Sequence, residues 1–159
     1  MTETILKMQK KVKRYLDKDR YDHTIGVMHT AGCLAMRYGA DLEKALIAGL
    51  LHDCAKCVPS AEKIKLCERN HIEISEAEYQ NPGLLHAKLG AFFARKKYGI
   101  EDEAVLRSIE SHTTGRPNMS LLDKIIYIAD YIEPGRDIAP NLPEVRALAF
   151  IDIDACLYR

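Results

Sequence analysis

The sequence predicts an all-α fold of about seven helices with short joins. Two observations carry that expectation. Apolar residues recur at three- and four-residue intervals along most of the chain, and no segment sustains the period-two alternation of β-branched residues that marks a strand. Glycines and prolines at Gly39, Pro59, Gly99, Gly115 and Pro117 punctuate the periodic stretches where helices should stop.

Taken in order, residues 3 to 16 set Ile5, Met8, Val12, Tyr15 and Leu16 among lysines, the pattern of an amphipathic surface helix. Asp17 or Asp19 caps a second helix from about Arg20 to Tyr38, with Gly39 as its terminator. His23 stands near the start of this helix. His29 lies about 240° further round and reads as a surface or packing residue. A third helix runs from Asp41 through Lys56, and Pro59 bars its continuation. Ser60 reads as the N-cap of a short helix to about Asn70, with Lys63 where a full capping box carries Glu or Gln; His71 reads as an exposed loop residue. Asn81-Pro82-Gly83 is a turn opening a helix through Tyr98, with His86 in its first turn beside Leu84, Leu85 and Leu89. From Glu101 a further helix carries Val105, Leu106 and Ile109 to Ser111-His112-Thr113-Thr114-Gly115. Ser120 caps the segment from Leu121 to about Ile132, whose apolar face Asp130 interrupts, with Asp123 seven residues earlier on nearly the same side. Glu133 to Asp137 form a polar turn suited to a pocket mouth, and Pro143 to Leu157 form the last helix.

A chain of 159 residues can bury one substantial core, so a single domain over residues 1–159 is expected. The apolar fraction of 47% and the charged fraction of 29% are those of a globular protein. The 23 basic and 23 acidic residues balance, which argues against a nucleic-acid-coating surface but leaves room for local cations that grip a small phosphate compound. No run approaches the roughly 18 apolar residues of a membrane span, and the charged start is no signal peptide, so a cytoplasmic protein without membrane partners is expected. A homodimer is left open. Five cysteines, an odd count, argue against a disulfide framework. Cys54 and Cys57 spell C-x-x-C, but a zinc or redox reading needs a second pair or a strand-then-helix context, and ordinary packing suffices.

The chain is organised around Ala48-Gly49-Leu50-Leu51-His52-Asp53-Cys54-Ala55-Lys56, an apolar run ending in an imidazole, a carboxylate and an ammonium. Such groups are costly to bury unpaired. Taken alone, His52-Asp53 reads first as a capping or hydrogen-bonded pair at a helix end. Neighbouring helical positions diverge by about 100°, so the two can also flank one point and bind one cation, through a neutral nitrogen and a charged oxygen. His23, His86, His112 and Asp130 are further polar groups on the apolar sides of other helices. Any one fits a satisfied core residue; six such groups on five helices point to a shared purpose.

His23, His52-Asp53 and Asp130 resemble the H…HD…D signature of the HD-domain metal-dependent phosphohydrolases. His-Asp-x-x-Lys at 52–56, Leu85-His86, Ser111-His112-Thr113-Thr114-Gly115 and Asp123-Lys124-Ile125, leading to Ala129-Asp130-x-Ile132-Glu133-Pro134-x-Arg136, look like the bacterial symmetrical bis(5'-nucleosyl)-tetraphosphatase branch. The likeness runs from about Arg20 to the end, with a metal-site core at about 20–137. It implies hydrolysis of diadenosine tetraphosphate to two ADP, with one or two iron ions at the site and manganese as the alternative. By matching position, His23, His52, Asp53 and Asp130 would bind the first metal, and Asp53 is the catalytic candidate. His86 and His112 would hold a second metal, with Asp53 bridging, or contact substrate phosphate. Arg20, Lys56 and Arg136 would neutralise the polyphosphate. Members of the branch continue beyond the point where this chain ends, so a shortened C-terminal helix and an incomplete nucleotide pocket are also expected.

The implied chemistry needs no covalent nucleophile, because a bound cation lowers the pKa of its water from 15.7 toward about 7. The carboxylates must be ionised and the imidazoles neutral to hold metal, so activity should fall in acid. The competing readings are another HD phosphohydrolase, such as a nucleotidase or guanosine tetraphosphate hydrolase, a di-iron oxygenase, and a nucleotide-sensing module with a structural metal.

Overall fold

Among the described residues, 1–158, a computed structural model of the chain forms ten α-helices and no strand. They are α1 Glu3–Val12, α2 Lys18–Tyr38, α3 Leu42–Leu51, α4 Ser60–Arg69 and α5 Glu76–Gln80, then a 3-10 turn Pro82–Leu84, α6 Leu85–Tyr98, α7 Glu103–Ser111, α8 Leu121–Ile132, α9 Leu142–Ala149 and α10 Ile153–Leu157. The all-α expectation holds. Set against the eight helical segments read in order along the sequence, the two added helices are the short α5, which was not foreseen, and the product of dividing the last one.

Local chemistry explains most boundaries. Asp17 caps α2 by accepting the Arg20 N–H, and Gly39 closes it in the left-handed region at φ 69°. Ser120 and Asp123 form a reciprocal capping box at the start of α8, whose limits match the expected ones. Ser75-x-x-Glu78 is a second capping box, and it starts the short α5. The first helix ends at Val12, earlier than expected, and Leu16 is buried from the turn that follows.

The third helix ends at Leu51 with His52 as its C-cap, short of the expected Lys56. The His52 ring Nδ1 lies 2.7 Å from the Gly49 carbonyl, competing for an acceptor that helix continuation would use, and the chain proceeds in tight i→i+3 turns to Val58. Ser60 is the first helical residue of α4 and not its cap: Pro59 takes that place with no side-chain bond. Lys63 is buried and donates to the Lys56 carbonyl at 3.1 Å, fastening the 52–58 turns to α4. The expected helix from Pro143 to Leu157 is broken by Asp152, whose carboxylate accepts the Asp154 and Ala155 N–H groups and restarts the chain as α10.

The core lies where α2, α3, α7 and α8 pack, with Met28, Leu34, Leu50, Leu51, Ile109, Ile125 and Ile126 fully buried. Gly49 permits the close crossing of α2 and α3: a Cβ there would stand 2.9 Å from Met28 Cα. His29 and His71 are exposed. All five cysteines are free thiols, and the Cys54 thiol, burial pushing its pKa up to about 12, packs toward the Gly90 carbonyl. No helix among the described residues is long and apolar enough to cross a membrane.

Candidate metal centre

Four imidazoles from four places in the chain meet at one end of the core. Ring centroids lie 5.5 Å apart for His23 and His52, and 5.0 Å apart both for His52 and His112 and for His86 and His112. The rings therefore run His23–His52–His112–His86, with Asp53 and Asp130 against them. His52, His86, His112 and Asp53 are almost completely buried.

The outer nitrogen of each ring has an oxygen acceptor. His52 Nδ1, His86 Nδ1 and His112 Nδ1 lie 2.7, 2.6 and 2.6 Å from the carbonyls of Gly49, Gly83 and Ile109, each three residues earlier. His23 Nδ1 lies 3.1 Å from Glu133 Oε1. Carbonyl and carboxylate oxygens only accept, so the contacts assign the ring proton to Nδ1 in each case. His52 and His112 are the C-caps of α3 and α7, where terminal carbonyls lack helical partners, and this is why the local fold turns these two rings in the same way.

Every inward Nε2 is then a lone pair. His23 Nε2 lies 3.0 Å from Asp130 Oδ1, close but not aligned as a hydrogen bond, and His52 Nε2 lies 3.4 Å from Asp53 Oδ2. His86 Nε2 and His112 Nε2 stand 3.2 and 3.5 Å from Asp53 Oδ1, and 3.1 Å from one another. His23 Nε2, His52 Nε2 and Asp53 Oδ1 are buried without a hydrogen-bond partner. Acceptors packed against acceptors repel, and a cation between them removes the conflict. Two ligand sets have donor atoms within 4.8 Å of one another, His23–His52–Asp130 and His52–Asp53–His112. These nitrogen and oxygen donors suit a divalent transition metal.

The proton affinities tell the same story. Burial opposes ionisation of Asp53, but the His52 imidazole and the neighbouring His112 and His86 outweigh it, holding the carboxyl well below the usual carboxylate range. Asp130 is likewise lowered, burial being overcome by His23, His52 and His112. Burial pushes the His52 pKa down, yet the carboxylates of Asp53 and Asp130 raise it on balance; in His112 burial prevails and the value is lowered.

Three cations lie at the rim. Arg20 Nη1 is 2.9 Å from Asp53 Oδ2, Arg136 Nη2 is 2.9 Å from Asp130 Oδ1, and Lys56 Nζ is 3.3 Å from His86 Nε2. Every candidate site residue from the sequence thus falls in this one region. Sequence reasoning passed over Glu133 as an orienting group, together with Gly26, where a Cβ would collide with the Glu133 carboxylate. It also left without a role Thr113, whose hydroxyl lies 3.1 Å from both His86 Nε2 and His112 Nε2. Asp123, paired on its helix face with Asp130 in the sequence, faces away from the site: it accepts from Arg116 and from the Ser120 N–H.

Comparison with known proteins agrees with this geometry. The HD domain family model matches residues 20–135. The symmetrical bis(5'-nucleosyl)-tetraphosphatase of Bacillus subtilis is 46% identical over 146 residues, covering 92% of this chain and 77% of the relative. The enzyme of the same name from Halalkalibacterium halodurans is 48% identical over the same shares. Among solved structures, a predicted HD superfamily hydrolase involved in NAD metabolism from Clostridium acetobutylicum superposes with a TM-score of 0.91 at 49% identity, covering 95% of this chain and 79% of that one. The chain belongs to the HD domain family.

Proposed function

We propose that this chain is a metal-dependent phosphohydrolase that cleaves diadenosine tetraphosphate symmetrically into two ADP. One observation carries the reading: a buried cluster of four imidazole lone pairs and two carboxylates, with all the ring protons turned outward. The names of relatives 46% and 48% identical direct the substrate choice. The HD-type unit is taken as one domain across the chain, with its metal-site core at 20–137.

In this reading His23, His52, Asp53 and Asp130 would hold one ion, and His86 and His112 would hold a second together with Asp53 or contact substrate phosphate. Iron is the proposed metal, manganese the alternative. When bound, the metal supplies a Lewis acid and an acidified water at neutral pH. Asp53 and Asp130 are both held below the usual carboxylate range, and each has an arginine nitrogen at 2.9 Å. The backbone carbonyls of Gly49, Gly83 and Ile109 fix three rings in the ligating tautomer.

Arg20 and Arg136, forked toward the two carboxylates, turn their remaining N–H groups to phosphate oxygens, and Lys56 adds a point charge beside His86. As water adds to phosphorus, the bond to the departing nucleoside diphosphate breaks. That diphosphate is already acidic and leaves without strong protonation, so the arginines and Lys56 act chiefly by stabilising charge on oxygen. The test is product analysis with a substrate panel. ADP as sole nucleotide product from diadenosine tetraphosphate supports the reading. AMP with ATP, or turnover confined to guanosine tetraphosphate or nucleoside monophosphates, overturns it.

A further inference from the structure

Two cavities open at the two ends of the imidazole row. One, of about 550 Å³, lies at the His23 end and is walled by Arg20, Arg136, Asp17, Asp19 and Glu133. The other, of about 430 Å³, lies beyond His86 and His112 and is reached past Thr113. Both volumes are in the range of small-molecule sites. Nothing in the metal chemistry requires the second cavity.

Its lining has a distinct character. Leu84 and Ala87 give it an apolar floor, and Ala77 lines it from an exposed position. Two of its cations are already matched, Lys88 to Glu78 at 2.9 Å and Arg116 to Asp123 at 2.5 Å. Arg107 and Glu110, both exposed on α7, line the same cavity, and neither side chain has an ion-pair or hydrogen-bond partner among the described residues. One free guanidinium plane and one free carboxylate over an apolar floor do not make a polyphosphate site. They suit a neutral, flat, donor-bearing group: an aromatic base stacks on the guanidinium, and ribose hydroxyls or a ring amino group donate to the carboxylate.

We infer that this cavity is the second nucleoside lobe, so that a symmetric substrate lies across the imidazole row with one nucleoside in each cavity and its central phosphates at the cluster. This rests on the dinucleoside polyphosphate reading above and adds to it a reason for cleavage at the middle: the reacting centre lies between two nucleoside pockets, whereas a single pocket would leave the position of the cut to chain length alone. Arg107 is the specificity-determining residue of the lobe.

The test uses two substrates and one product. Adenosine 5'-tetraphosphate carries a single nucleoside, diadenosine tetraphosphate two. In the metal-replete enzyme, Arg107→Ala should lower the ratio of kcat/KM for the dinucleoside over the mononucleoside substrate about tenfold, mainly through KM. Calorimetric titration of ADP should find two sites per chain in the wild type. It should find one in Ala77→Trp, where an exposed position on α5 carries an indole into the cavity. An unchanged ratio together with equal ADP stoichiometry in all three proteins overturns the second lobe while wild-type cleavage of diadenosine tetraphosphate continues. Wild-type protein that binds metal but does not cleave that substrate overturns the substrate reading itself, and the lobe with it.

Discussion

The imidazole of His23 and the carboxylate of Glu133 meet at 3.1 Å between Nδ1 and Oε1, across 110 residues of sequence. The other carboxylate oxygen accepts the Gly135 N–H at 2.7 Å, so Glu133 is held from both sides while it turns His23 Nε2 toward Asp130. Gly26 leaves the room this carboxylate occupies.

Glu133→Gln keeps the shape but sets an amide NH2 against either the His23 or the Gly135 donor. We expect metal affinity to fall roughly 10- to 100-fold, the usual consequence of losing a group that orients a ligand. Competitive metal titration checks this, with circular dichroism as the control for folding; unchanged affinity contradicts the role given to Glu133.

Gly49→Ala should act on stability. The added Cβ would stand 2.9 Å from Met28 Cα, a backbone atom that cannot rotate away. A destabilisation of roughly 1 to 3 kcal/mol is expected from overpacking. Denaturant unfolding measures it; a midpoint equal to that of the wild type would show that α2 and α3 separate easily.

The dependence on pH follows from the site. Burial lowers the His52 pKa but the neighbouring carboxylates raise it on balance, so a proton competes with a cation for this ring as the pH falls. Metal uptake near neutral pH should therefore release protons, and apparent affinity should fall as pH drops through the imidazole range. The folded-state pKa values of Asp53 and Asp130 are lowered from 3.8. Their contribution to metal-free stability is present above that value and lost as pH falls below it toward the folded pKa. Proton release measured in two buffers of different ionisation enthalpy, and acid unfolding of the metal-free protein, check the two parts.

Local chemistry was readable in the sequence wherever a single residue decided it. Gly39 and Gly99 stop α2 and α6, Ser120 starts α8, and His52-Asp53 stands out because polar groups end an apolar run. What escaped reading depended on partners distant in sequence or on competition for one acceptor. Nothing within a few residues of Glu133 reveals that its partner is His23. The end of α3 depended on an imidazole taking the Gly49 carbonyl, which apolar spacing does not report. The split between α9 and α10 was signalled by Asp152, a cap residue inside a stretch read as one helix. Asp123 shared a face with Asp130 but serves the capping box and Arg116, because position on a helix does not specify which neighbour a carboxylate meets.

The account stands on the inward-facing acceptors around Asp53 closing on a metal ion. Elemental analysis of purified protein, beside His52→Ala and Asp53→Ala prepared identically, tests that most directly. One or two equivalents of iron or manganese in the wild type, and almost none in either variant at unchanged helical content, is the predicted result. Wild-type protein that takes up no metal when offered iron or manganese, or variants that retain the full complement, would contradict it.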